Sequence, residues 1–241
     1  MLTELASAGA IAGVSAGAYA YAANWPTSQI FGSTLIAGNN PREIALTYDD
    51  GPNDPDTPRL LEILARQKVR ATFFLIGRFV RERPQIARSI HAAGHLIGNH
   101  TMTHPVLLWQ RPARVLEELA GCNAAIEDAI GEAVRFFRPP HGARRPDILR
   151  TARELGLTPV MWNAMGYDWT APPPERIAAR VEAGLRSNLQ RRRGSNVLLH
   201  DGGQARLGID RSPTLAATQS LLESWAGRGM RLVTVDHWLH F

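Results

Sequence analysis

An α/β fold on a parallel sheet of about seven strands is what this sequence of 241 residues predicts. Three observations point to it. Short apolar runs alternate with longer segments of helical periodicity about seven times, the mark of a parallel sheet covered by helices. Polar clusters recur at or just past the ends of the apolar runs. After residue 40 there is neither an internal repeat nor a low-complexity tract.

The strand-like runs are Ile44–Tyr48, Ala71–Ile76, His95–Gly98, Val134–Phe137, Thr158–Trp162, Asn196–Leu199 and Arg231–Val235. Helical spacing of apolar residues predicts helices over Pro58–Gln67, Pro84–Ala93, Pro112–Ile130, Pro174–Leu189 and Pro213–Gly227. Each carries a proline near its first turn, where the missing N–H costs nothing. The pattern alone leaves a closed barrel and a doubly wound open sheet both available.

Residues 1–24 are apolar but mostly Ala, Gly and Ser, and no charge occurs between Glu4 and Arg42. A spanning helix needs about 20 strongly apolar residues. A secretory signal needs a basic start. A weak membrane anchor or a signal with a different true start is favoured over a small-residue helix packed on the domain. Membrane association through 1–24 and a place in the cell envelope or outside the cell are the matching expectations; composition does not exclude the cytoplasm. Residues 25–41 read as a linker and 42–241 as the folded domain.

The 27 basic and 22 acidic residues leave a net charge of +5. Arg191-Arg192-Arg193 is the only dense basic run and reads as a solvated helix end, so no nucleic-acid partner is expected. Cys122 is the only cysteine, which excludes intrachain disulfides and thiolate metal sites. Oligomeric state is not legible.

Five polar clusters sit at strand ends: Asp49-Asp50, Asn99-His100, Arg138-Pro139-Pro140, Asp168-Trp169 and His200-Asp201. In parallel α/β barrels that face holds the chemistry. Adjacent carboxylates resist joint ionisation unless a cation compensates. A strand running into Gly51-Pro52 can aim both at one pocket. His100 and His104 lie four apart between Gly98-Asn99 and Pro105, so their segment is a constrained loop or single turn. One Asp with two His is a facial ligand set for a divalent metal, and it leaves the second Asp free as a base.

The chain resembles the polysaccharide deacetylases, the NodB-homology family of carbohydrate esterases, over about residues 42–238. Five motifs match in order: Thr47-Tyr48-Asp49-Asp50-Gly51-Pro52, His100-Thr101-Met102-Thr103-His104, Arg138-Pro139-Pro140-His141-Gly142, Asp168-Trp169 and Val197-Leu198-Leu199-His200. The resemblance implies an irregular parallel (β/α) barrel. It also implies a metal-dependent hydrolase that removes N-acetyl groups from an amino-sugar glycan such as peptidoglycan or a chitin oligomer. It assigns Asp50, His100 and His104 to the metal, Asp49 to the base, Arg138 to pairing with that base, and the His141 N–H to the oxyanion. His200 becomes the general acid. Trp169, Leu198 and Pro140 are the substrate contacts, Trp169 as a platform for a pyranose and Leu198 beside the acetyl methyl. The donor set suits Zn²⁺, with Co²⁺, Ni²⁺ or Fe²⁺ as alternatives.

Two departures stand out. Asn196 replaces the first Leu of the fifth motif, and Met165 occupies the first Asp of the fourth. In relatives that acid supports the histidine, and methionine accepts only a weak hydrogen bond. The expectation is a lowered pKa at His200. Met165 is also the sole support for a sugar-binding pseudoenzyme. An O-acetyl ester of a xylan-type glycan is a further substrate alternative, because the catalytic set is indifferent to it.

Overall fold

The computed structural model describes residues 17–239. Eight strands run in it: β1 (Glu43–Gly51), β2 (Thr72–Leu75), β3 (Leu96–Asn99), β4 (Phe136–Phe137), β5 (Thr158–Pro159), β6 (Ala164–Met165), β7 (Ser195–His200) and β8 (Arg231–Val233). Their order is β5-β4-β3-β2-β1-β7-β6, with β8 on β1. All strand pairings are parallel. The path therefore holds seven strands, as expected. Its ends, β5 and β6, share no ladder among the described residues, so the barrel is open there.

Around it lie α1 (17–24), α2 (Asp56–Arg66), α3 (Gly77–Glu82), α4 (Pro84–Ala92), α5 (Pro112–Ile130), α6 (Pro146–Glu154), α7 (Pro174–Gln190) and α8 (Ser212–Ala226). Proline occupies the first turn of α4 to α8. Helix α5 ends on Gly131 at φ 76°, a left-handed conformation that glycine adopts without penalty. Helices α3 and α6 and strand β6 were not expected from the sequence.

All nine residues of β1 are buried, as a central parallel strand requires. Ile44, Leu46 and Tyr48 face the helices and join the main core with Leu60 and Leu64 of α2. Burying each such side chain stabilises by about 1.5–3 kcal/mol. The Tyr48 hydroxyl meets Thr218 Oγ1 of α8 at 3.0 Å, so burial leaves no polar orphan there. Alternate positions face the barrel interior. Ala45, Phe74, Phe136, Val160 and Trp238 fill its lower half. Its upper half is polar, built from Thr47, Asp49, Arg138 and Asn196.

The 25–41 stretch is tied down rather than free. Leu35 bridges in parallel to Val160 beyond β5, and Ile36 packs on Met161, Trp162 and Leu198. This segment lies on the free side of β5. The anchor or signal reading of 1–24 falls largely outside the described residues. Among those described, no helix is long and apolar enough to cross a membrane.

Candidate active site

A cleft of about 620 Å³ opens at the C-terminal ends of the strands, with Asp49, Asp50, His100, His104, His141 and His200 on its walls. The register of β1 against β2 slips between Asp49 and Gly51. Such a bulge adds one residue and re-aims its side chain. Asp50 takes φ 73°, and the usual alternation of faces breaks there, so both carboxylates reach the cleft. Gly202 lies directly behind, where a Cβ would collide with the Asp50 carbonyl.

His100 and His104 follow β3 on a strained loop, with Thr101 and His104 at φ 66° and 60°. Left-handed non-glycine residues cost about 1–3 kcal/mol each and persist only where the surroundings enforce them. Here the enforcement is explicit. Asn99 Oδ1 accepts from Thr101 N at 2.7 Å, and the buried Glu118 accepts from Thr103 N and Oγ1 at 2.7 and 2.6 Å. Nothing in the sequence marked Glu118, which looks like any helical glutamate.

Asp50 Oδ1 lies 3.2 Å from His104 Nε2 and 3.5 Å from His100 Nε2. One donor atom from each of the three falls within 4.8 Å of the others. His100 Nδ1 sits 2.8 Å from the Arg138 carbonyl, so that nitrogen carries the proton and Nε2 presents a lone pair. Burial pushes the Asp50 carboxyl up, but His100, His200 and His104 outweigh it and hold it below the usual carboxylate range. Burial and the neighbouring His100 lower His104 to about 3. An anionic carboxylate thus faces Nε2 of both histidines, His104 among them held neutral. Asp50 Oδ1, which both Nε2 atoms approach, is buried without a hydrogen-bond partner. Lone pairs converging in this way fit a divalent cation.

Asp49 is held differently. Its Oδ1 accepts from Arg138 Nη1 at 2.8 Å, and its Oδ2 lies 3.7 Å from His100 Nε2. Arg138 is fully buried. It also donates to Thr47 Oγ1 at 2.7 Å and Asn196 Oδ1 at 3.3 Å, and stacks 4.2 Å over Phe74. Asn196 Nδ2 is spent on the Met161 carbonyl at 2.8 Å. The departure at Asn196 therefore supplies an acceptor that a leucine could not.

The loop after β4 places His141 at φ 58°, exposed, its ring 4.8 Å from that of His104. Partial desolvation of the ring, then the neighbouring His100, lowers its pKa. Gly142, at φ 68°, leaves no room for a Cβ, which would come 2.7 Å from Trp162. Pro139 lines the cleft and Pro140 does not. Pro140 starts the 3-10 turn and is buried beneath it. Behind the loop the buried Arg144 donates to the carbonyls of Gly142 (2.9 Å), Trp25 (2.6 Å) and Ser28 (2.9 Å). It ties the N-terminal stretch to the cleft, a role no sequence signal announced.

The expectation of an unsupported His200 is overturned. Asp168 Oδ1 lies 2.9 Å from His200 Nδ1, and Asp168 Oδ2 accepts from His200 N at 2.8 Å and Thr214 Oγ1 at 2.9 Å. Asp168 sits on a short 3-10 turn (Asp168–Thr170) flanked by Tyr167 and Ala171 in left-handed conformations, which swings it beneath the imidazole. Burial alone would lower the His200 pKa; Asp168, then Asp50 and Asp49, raise it to about 9. Met165 packs instead with Met161, Trp162 and Leu198. Trp169, 46% exposed, lines the cleft with its ring 5.4 Å from His200. Leu198 and the buried Trp162 form the apolar part of the wall. Asp201, unmarked in the sequence reading except as a neighbour of His200, is fully buried. Burial raises its pKa to about 7, against a hydrogen bond from Thr57 at 2.5 Å.

Residues 37–160 match the polysaccharide deacetylase family. The chain belongs to that family. A chitooligosaccharide deacetylase of Bradyrhizobium sp. (strain ANU 289) is 38% identical over 79% of this chain and 88% of its own length. A peptidoglycan-N-acetylglucosamine deacetylase of Bacillus cereus is 35% identical over 84% and 91%. These family members hydrolyse carbon–nitrogen bonds. Among solved structures, a CE4 family pseudoenzyme from Bacillus anthracis shares the fold at 28% identity and TM-score 0.74, over 86% of this chain and 69% of that one.

Proposed function

We propose that the protein is a metal-dependent hydrolase that removes N-acetyl groups from an amino-sugar glycan. The unpartnered Asp50 Oδ1, facing Nε2 of His100 and of His104 beside the Arg138-held Asp49, carries the reading. Asp50, His100 and His104 would hold the ion, with Zn²⁺ preferred by this donor set. An ion held by them would supply Lewis-acid activation of a water and of the acetyl oxygen.

The side chains supply the rest. Arg138 holds Asp49 through Oδ1, leaving Oδ2 towards the cleft to take the proton of the attacking water. The backbone N–H of His141 donates to the oxyanion of the tetrahedral intermediate, a contribution of about 3 kcal/mol for such donors. His200 gives its Nε2 proton to the departing amine, and Asp168 on Nδ1 sets that tautomer. Leu198 and Trp162 accept the acetyl methyl, and Trp169 carries the sugar ring. In this reading residues 42–241 form the catalytic domain and 1–24 direct the protein to the envelope, where such polymers are found. The intact Asp49, Asp50, His100, His104, Arg138 and His200 set weighs against a pseudoenzyme.

The test is acetate release from N-acetylated chito-oligomers and peptidoglycan fragments, with chelator and with Zn²⁺ restored. Release that is lost on chelation and returns with metal supports the reading. Release confined to O-acetylated xylan, or none at all, overturns it.

A further inference from the structure

We propose that Trp109 is a stacking platform for a sugar ring beyond the one that reacts, so that the enzyme grips a polymer rather than a single residue. The proposal rests on the glycan reading above. Trp109 is 82% exposed, more than any other large apolar side chain among the described residues. An indole left in water forgoes the burial that makes tryptophan a strong core residue. Yet this one stands on a braced turn.

The 3-10 turn Leu107–Trp109 begins three residues after His104. Leu107 is its fully buried anchor. Trp109 N donates to the Val106 carbonyl at 3.2 Å and Gln110 N to that of Leu107 at 3.0 Å. The carbonyls on either side of the indole, Leu108 and Gln110, both accept from the Arg145 guanidinium, the latter at 3.0 Å. Asp147 fixes Arg145 in turn through two contacts of 3.0 Å. Arg145 lies three residues past Gly142, so the turn is pinned to the loop that bears His141. On the cleft wall the exposed Trp169 stands beside His200, with the exposed Tyr167 ring tilted against it at 5.2 Å. One exposed ring thus follows the His104 loop on a turn tied to the His141 loop, and another stands beside His200. The apolar C–H face of a pyranose packs on such a ring, and a rigid platform loses little entropy on binding.

The test compares chitohexaose with chitobiose on the full-length, metal-loaded chain. For Trp109→Ala we expect the ratio of kcat/KM, hexamer over dimer, to fall about tenfold, the weight of one aromatic stacking contact. Trp109→Phe should hold it within threefold. A ratio unchanged in Trp109→Ala overturns the proposal. A second arm needs no turnover: calorimetric titration of chitohexaose into Asp49→Asn and into Asp49→Asn/Trp109→Ala. A dissociation constant about tenfold weaker in the double variant supports the platform even if no acetate is released from any oligomer. Equal affinity, or no binding by either, overturns it. So does a Trp109→Ala variant that loses only vesicle binding or self-association, since the indole would then serve a lipid surface or a second copy of this chain.

Discussion

Asp168→Asn removes the main support of the general acid while changing few atoms. His200 stands at about 9 against 6.5 for the free side chain, a shift worth about 3 kcal/mol between its protonation states. Asp168 supplies the largest raising contribution, ahead of Asp50 and Asp49. A cation on Asp50 cancels that carboxylate's share, which leaves Asp168 dominant. The general acid works in its protonated form, so activity falls as pH rises through the His200 pKa. In Asp168→Asn the alkaline limb of kcat/KM should move down by about 1–2 units, and the plateau should drop up to about a hundredfold. The stability sign follows from the same shift. A folded pKa above the unfolded one stabilises fully below pH 6.5, and this is lost as pH rises through about 9. The stability gap between wild type and variant should therefore be wider at pH 6 than at pH 9.5. The assays are a pH–rate profile with saturating metal and urea unfolding at the two pH values. A folded variant whose alkaline limb does not move would refute the assignment of Asp168.

Replacing His104 by Ala should abolish calorimetric Zn²⁺ binding and acetate release, since only two of three donors remain. Saturating Zn²⁺ should raise the wild-type unfolding free energy by about 4 kcal/mol at a thousand times Kd, measured against a chelated sample. Asn196→Leu leaves a buried guanidinium proton of Arg138 unsatisfied and should cost about 1–3 kcal/mol in urea unfolding, with a lower kcat. Arg144→Met strips three carbonyls of their donor. Faster amide exchange at Gly142 and Ala143, with reduced kcat, is expected by exchange mass spectrometry.

Much of this was legible in the sequence because buried parallel strands are continuous apolar runs that end where the polar clusters begin. Asp49-Asp50 before Gly-Pro and the His100/His104 pair were readable by type and spacing. The rest was hidden for physical reasons. Strand β6 has two residues, too few for any period. Helix α6 hides in an arginine-rich stretch where only Ile148, Leu149 and Ala152 are buried, although Pro146 and Gly156 punctuate it. Arg144 looks like its exposed neighbours, and only coordinates reveal the carbonyls around it. The role of Asp168 escaped because support for an imidazole was sought at a fixed motif position, whereas a left-handed turn delivers it from three residues on.

Strand β1 has an ordering consequence for synthesis. One edge takes β2, a nearby stretch of chain, but the other takes β7, with Asp49 opposite His200. Until the last fifth of the polypeptide emerges, that second edge is an unpaired template, prone to capture by other nascent chains. With the end of β7 lying about 150 residues after that of β1, synthesis at about 5–20 residues per second leaves the edge exposed for about 7–30 seconds. The acid also reaches its base only in that final zipping step, so a shortened product from early termination would carry the ligand trio without a proton donor.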